Sequence, residues 1–175
     1  MNSQSEEDYL KALYHLEIDY DAVSTNSIAD YLDMKPSSVT DMLKKLAEKK
    51  YINYEKYKGT SLTKKGRLIA LSIIRKHRLW ETFLVEKLGF GWDQVHIIAE
   101  QLEHIKSEEL IENLDDFLGN PKYDPHGDPI PNKDGKIEKM NQKLLVELKT
   151  DQIGIITGVK KGTISLLNYL DKEKI

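Results

Sequence analysis

The sequence predicts a mainly α protein with an N-terminal winged helix-turn-helix, a helical domain behind it and a partial β-rich segment at the C-terminal end. Three observations carry that expectation. Apolar residues recur at helical spacing through most of the first 118 positions. Within that part, two short helical segments meet at a tight turn and run directly into one candidate hairpin with a basic tip. Finally, the Pro/Gly/Asp-rich stretch "NPKYDPHGDPIPNKDG", from Asn120 to Gly135, separates the helices from a tail of β-branched residues and turn glycines.

The first helix is expected from about Ser5 to Asp19, with Ser5 as N-cap, Glu6, Glu7 and Asp8 in its first turn, and Tyr9, Leu13, Leu16 and Tyr20 as its apolar stripe. A second takes "NSIADYL", the chain turns through Asp33 to Lys35, and "PSSVTDMLKKLAEKK" opens a third, with Pro36 at a position where its missing N–H is harmless. Ile28, Leu32, Val39, Leu43 and Leu46 would close a core over the turn. "YINYEKYKGTSLTKKG" then reads as two extended arms around Gly59, before Thr63 caps a long helix from about Lys64 to Leu88. After "GFGW" comes another helix to about Lys106, and a last one from about Ser107 to Leu118.

A hairpin behind a recognition helix is the layout of a winged helix, which directs attention to charge. Net charge is -3, yet Lys35 to Lys76 holds 12 basic residues against 3 acidic ones, an excess of +9, and the rest of the chain carries -12. One face suited to phosphate and another suited to cations would produce that split. Ser37, Ser38 and Thr40, opening the third helix after Lys35 and Pro36, can reach base edges or phosphates. Lys44, Lys45, Lys56 and Lys58 can neutralise backbone charge.

Composition narrows the classes further. With 39% apolar and 31% charged residues the chain is globular, and the absence of cysteine excludes disulfides and thiolate metal sites. There is no apolar run of about 18 residues, and "MNSQSEEDYL" lacks the pattern of a secretory signal, so a cytoplasmic location and no membrane partner are expected.

The segment "HIIAEQLEH" places His96, Glu100, Glu103 and His104 at about 0°, 40°, 340° and 80° around a helix, one shared face. His77 and Glu81 stand at i and i+4 in "RKHRLWE", and Asp8 lies near the start of the first helix. Carboxylate and imidazole without sulfur suit Mn(II), Fe(II) or Zn(II), and the abundance of carboxylate leans toward the first two. Spacing alone leaves open a merely solvated polar face, a hydrolytic metalloenzyme, or a winged-helix regulator with a non-metal effector. The lack of a recognisable substrate loop argues against an enzyme.

Taken together, "EDYLKALYHLE", "PSSVTDMLKKL", "GTSLTKKG", "RKHRLWE", "VHIIAEQLEH" and "NPKYDPHGDPIP" resemble the DtxR/MntR family of metal-dependent transcriptional repressors over at least residues 5 to 131. The resemblance implies a winged-helix DNA-binding domain at 1–63, a metal-binding and dimerisation domain at 64–140, and the start of an SH3-like (FeoA-like) domain at 141–175, apparently incomplete. It implies a homodimer, joined through the apolar sides of helices from Trp92 to Leu118 with Val95, Ile98 and Leu102, that binds double-stranded operator DNA. Asp8, Glu100, Glu103 and His104 fall on the family's principal regulatory site. His77, Glu81 and His96 fall on its second, where Asp124 and His126 match additional ligands of some manganese repressors. His77 can also serve in a paired site with the principal ligands. Iron-responsive members carry methionine at Asp8 and cysteine at Glu100, so hard oxygen at both points to Mn(II), with an Fe(II)-responsive repressor as the alternative and Zn(II) as an in vitro substitute. Lys11 stands where short manganese-responsive members carry glutamate, which favours two separated sites over a closely spaced pair.

Overall fold

The computed structural model describes residues 2–55, 58–138 and 143–153 and the single positions 169 and 172, without the side chains of 92 and 93. The described chain divides into two compact units, Met1–Ile74 with Lys133–Gly135, and Arg75–Asn132 with Lys136–Ile175. The division falls inside the long helix instead of before it, because Ile69 and Ala70 still pack in the N-terminal core.

In the N-terminal unit, α1 spans Gln4–Leu16 and begins at Ser3, not at the expected Ser5. The reason is a capping box: Ser3 Oγ accepts the Glu6 N–H at 3.3 Å while the Glu6 carboxylate accepts the Ser3 N–H at 3.1 Å. The helix also ends before Asp19, with Glu17 as C-cap, so Tyr20 lies beyond the apolar stripe and is exposed. Two helices follow, α2 at Thr25–Tyr31 and α3 at Pro36–Glu48. Ser24 caps α2 through the Ser27 N–H at 3.0 Å, and Asp33 takes a left-handed conformation in the turn between them. Strands β1 (Ile52–Glu55) and β2 (Gly59–Leu62) pair antiparallel with Ile52 opposite Leu62 and Glu55 opposite Gly59, forming the expected wing. The core gathers Leu10, Leu13, Ile28, Val39, Leu43 and Leu46, the side chains that the helical spacing singled out at the turn among them.

A buried carboxylate supplements this apolar core. Glu6 is 1% exposed and accepts hydrogen bonds from Lys49 Nζ at 2.7 and 2.9 Å, with Lys45 Nζ at 3.0 Å. Burial raises its pKa, but the two ammonium groups and the Ser3 N–H outweigh that and hold it at about 2, against 4.5 ordinarily.

Helix α4 spans Lys64–Leu88 and starts as expected, with Thr63 Oγ1 accepting the Gly66 N–H at 3.1 Å. Gly66 lies so close to the preceding loop that a Cβ would fall 2.0 Å from the Tyr51 carbonyl oxygen.

In the C-terminal unit, α5 spans Trp92–Leu102 and α6 spans Glu108–Phe117. The expected continuation of α5 to Lys106 does not occur: Glu103 is its C-cap, and Ser107 caps α6 by accepting the Leu110 N–H at 3.2 Å. Leu79, Ile111, Leu114 and Ile130 form the core, lined by Trp80, Phe83 and Leu118. Buried cations of α4 fix α6: Arg75 reaches Asp115 at 2.7 Å and Glu112 at 3.2 Å, and Lys76 donates to the Ile105 carbonyl at 3.2 Å. Burial raises the Asp115 pKa even beside that guanidinium.

Val95 is fully buried within the chain itself, so it is not available to a partner as expected; the open apolar side chains are Ile97 (64% exposed), Leu110 (41%) and Phe117 (65%). Of the tail, 143–153 contains one 3₁₀ turn, Leu145–Glu147, and most of the expected β-rich segment lies outside the described residues. No helix among the described residues is long and apolar enough to cross a membrane.

Two stability predictions follow from the N-terminal unit. Gly66→Ala forces backbone apart and should cost about 2 kcal/mol or more in urea unfolding. The Glu6 pKa is depressed in the folded state, so its contribution is fully present above about pH 4.5 and lost as pH falls through that value toward about 2. Thermal melting followed across that window should drop more steeply for the wild type than for Glu6→Gln.

Candidate metal centre and nucleic-acid interface

One turn of α4 stacks Glu81 over His77, and α5 brings His96 to the same place. His77 Nε2 lies 3.0 Å from Glu81 Oε1 and 3.0 Å from His96 Nδ1, and His96 Nδ1 lies 3.3 Å from the same carboxylate oxygen. Each residue can offer a ligand atom within 4.8 Å of the others. His77 and Glu81 are buried while the His96 side chain is 59% exposed, which leaves one side of the cluster open for an ion to enter. Burial raises the Glu81 pKa, but hydrogen bonds from His77 and His96 and the nearby His126 outweigh it and hold the carboxyl at about 2. An ionised carboxylate with two imidazoles, one face open, fits a divalent cation of the Mn(II), Fe(II) or Zn(II) type.

The other nitrogen of His77 is used as well. Its Nδ1 meets Glu103 Oε2 at 2.6 Å, which fixes the ring so that Nε2 faces Glu81. Glu103 is buried at the C-cap of α5, with His104 Nε2 3.8 Å from its second oxygen. Glu100 is exposed and faces His96 Nε2 at 3.4 Å. His77 therefore touches both the residues expected at the second site and one expected at the principal site. Asp8 lies on α1 in the N-terminal unit, half-buried.

The loop after α6 supplies two further groups with different duties. His126 Nε2 stands 3.7 Å from Glu81 Oε1. Asp124 is buried, with one oxygen accepting the N–H groups of His126 and Asp128 at 2.9 Å each and the other 3.5 Å from Arg78 Nε. Burial, together with the negative charge of Glu81, raises its pKa to about 6 despite those N–H donors and Arg78. Asp124 thus shapes the loop that presents His126. Sequence spacing did not single out Arg78, which also donates to the Pro129 carbonyl. A lone arginine in a helix has no sequence signal for such a role.

In the N-terminal unit, Ser37 and Ser38 are exposed in the first turn of α3, and its N-cap Lys35 lends no side-chain cap, so the backbone N–H groups there can meet a phosphate. Thr40 Oγ1 donates to the Pro36 carbonyl at 2.9 Å, which ties its hydroxyl to the helix. Lys44 and Lys58 are exposed in weak surface pairs with Asp41 at 3.2 Å and Glu55 at 2.7 Å. Lys45 reaches back to buried Glu6. Lys56 lies outside the described residues.

Glu81→Gln should weaken binding at the α4/α5 cluster at least ~10-fold, and His126→Ala by less. Equilibrium dialysis with Mn(II) measures both.

Comparison with known proteins agrees with this layout. The family model for the iron dependent repressor N-terminal DNA binding domain matches residues 1–60, and that for the iron dependent repressor metal binding and dimerisation domain matches 63–132. The HTH-type transcriptional regulator MntR of Oceanobacillus iheyensis is 36% identical over 124 residues, 71% of this chain and 84% of that protein. The iron-dependent repressor IdeR of Mycobacterium tuberculosis is 34% identical over 123 residues, 70% of this chain, and only 54% of its length is matched. A solved manganese-dependent transcriptional repressor in complex with manganese superposes with a TM-score of 0.80 at 36% identity, covering 96% of this chain and 78% of that one. With both domains matched in order and the polar cluster on the helices of the second, the chain belongs to the DtxR/MntR family of metal-dependent repressors.

Proposed function

We propose that this chain is a metal-dependent DNA-binding transcriptional repressor controlling metal-ion homeostasis, with Mn(II) as co-repressor. The observation that carries this reading is a buried, ionised carboxylate/imidazole cluster on α4 and α5 in the same chain as a winged helix whose recognition helix opens with exposed hydroxyls. Similarity to MntR and to a manganese-dependent repressor supports the metal, and so does the donor set, which has no sulfur anywhere among its nine candidate ligands. Similarity to IdeR supports the same chemistry with Fe(II).

The mechanism needs a metal that acts on both domains. By family resemblance Asp8 shares the principal site with Glu100, Glu103 and His104. A cation held by that set would restrain the DNA-binding domain against the dimerisation domain. In a twofold dimer that restraint decides whether two recognition helices meet successive major grooves, about 34 Å apart. Differential binding of ~1–3 kcal/mol changes DNA affinity severalfold to a hundredfold. The exposed Ile97, Leu110 and Phe117 supply the apolar surface for the dimer.

A gel shift with and without Mn(II) tests the reading, and DNA binding independent of metal would overturn it. Glu103→Ala should abolish the Mn(II) response while leaving helical content and the dimer in sedimentation intact. The double change Asp8→Met with Glu100→Cys should move the response toward Fe(II), because softer ligands and lower site charge disfavour manganese. Lys44→Gln or Lys58→Gln should each flatten the slope of log affinity against log salt by ~0.9.

A further inference from the structure

We propose that Glu6 and Tyr9 are positioning residues that carry metal capture at Asp8 to the recognition helix, by holding that helix at both ends. The inference rests on the repressor reading above and adds a route inside the N-terminal unit.

Glu6 Oε1 accepts Lys49 Nζ at 2.7 Å and Lys45 Nζ at 3.0 Å, and its Oε2 accepts Lys49 Nζ at 2.9 Å and the Ser3 N–H at 3.1 Å. Lys49 is the C-cap of α3. The hydroxyl of Tyr9, whose ring is buried, donates to Met34 Sδ at 3.2 Å. Met34 lies two residues before Pro36, the first residue of α3. The recognition helix is therefore held just before its start and just after its end by side chains from one stretch of α1, and Asp8 sits between them in sequence.

Helical geometry makes this arrangement serviceable. At 100° per residue, Glu6 and Asp8 project about 200° apart and Tyr9 about 100° from Asp8, so Asp8 points away from the carboxylate that holds α3. The capping box with Ser3 fixes the turn that carries Glu6, and the same helix runs on from it through Asp8 and Tyr9. The apolar cluster shared by Leu10 and Leu13 of α1 and Val39, Leu43 and Leu46 of α3 holds the two helices together, but the hydrophobic effect is itself non-directional. A buried carboxylate with four hydrogen bonds has one satisfactory geometry, and displacement leaves charge unpaired. A cation that restrains Asp8 restrains α1, and through Glu6 and Tyr9 it restrains both ends of α3.

The test uses the full chain, Mn(II), and a DNA duplex selected in vitro by Mn(II)-dependent binding of the wild type. Mn(II) affinity, DNA affinity with and without Mn(II), and melting are measured for Glu6→Gln, Lys49→Met and Tyr9→Phe. Mn(II) affinity should stay within ~3-fold of wild type, while the factor by which Mn(II) raises DNA affinity falls ~10-fold in the first two variants and ~3-fold in Tyr9→Phe, where a weaker thioether bond is lost. A merely structural role would lower DNA affinity equally with and without metal, and that outcome overturns the proposal, as does a wild-type enhancement in all three variants. Should Glu6→Gln unfold, the partly exposed Lys49 and the hydroxyl of Tyr9 decide the matter. Failure of the selection to yield any duplex that the wild type binds in a Mn(II)-dependent way would remove the repressor reading, whereas intact coupling in the variants removes only this route.

Discussion

The polar interior of the C-terminal unit depends on one buried imidazole. His77 uses both ring nitrogens, at 3.0 Å to Glu81 and 2.6 Å to Glu103, and all three side chains are almost fully buried. Imidazoles surround the two carboxyl groups on their other sides, His96 at 3.3 Å and His126 at 3.7 Å from Glu81 and His104 at 3.8 Å from Glu103, so the fold has already brought nitrogen and oxygen donors together in a buried polar centre. Arg75 and Lys76, two residues and one residue earlier on the same helix, hold the neighbouring chain in place, Arg75 through Asp115 of α6 and Lys76 through the Ile105 carbonyl just before it.

The distribution of charge separates the two tasks of the chain. The basic excess of +9 between Lys35 and Lys76 runs over α3, the wing and the first half of α4, and its last two cations, Arg75 and Lys76, are buried against Asp115 and the Ile105 carbonyl. The remainder is acidic, and there the carboxylates of the cation cluster reside. Had the two sets been interleaved, lysines would compete with the metal for carboxylates and carboxylates would repel phosphate. Glu6 lies outside that basic stretch in sequence but packs against it in the fold, where its single carboxylate is shared by Lys45 and Lys49.

Much of this was legible in the sequence, for definable reasons. Pro36 and the hydroxyls after it, the β-arms around Gly59 and the cap at Thr63 are local signals, set by backbone chemistry within three or four residues. The His77, Glu81 and His96 cluster was legible because helical spacing puts the first pair on one face. Competition between equivalent local signals was harder: Ser3 and Ser5 can both cap, and Ser3 wins because Glu6 stands three residues beyond it to complete the capping box. The contacts of Lys45 and Lys49 with Glu6 span about forty positions, and no periodicity encodes them. Val95 shows the same limit, since a helical wheel says which residues share a face but not which neighbour covers it.

Under the proposed manganese response, intrinsic affinity works against the protein, because a nitrogen and oxygen site binds Zn(II) more tightly than Mn(II) or Fe(II). Discrimination must come from geometry. His77, Glu81 and His96 alone, with one water, would make the four-coordinate arrangement that zinc prefers. His126 at 3.7 Å from Glu81 and Glu100 at 3.4 Å from His96 bring further donors to the rim of the same cluster. Donors beyond four favour a cation that accepts six ligands, and carboxylate oxygen favours a hard one. The loop that presents His126 is in turn held by Asp124, whose carboxylate binds the loop's own N–H groups and faces Arg78. Under the proposed response, Asp124 would bear on metal choice through where it fixes that imidazole, whether or not it is itself a ligand.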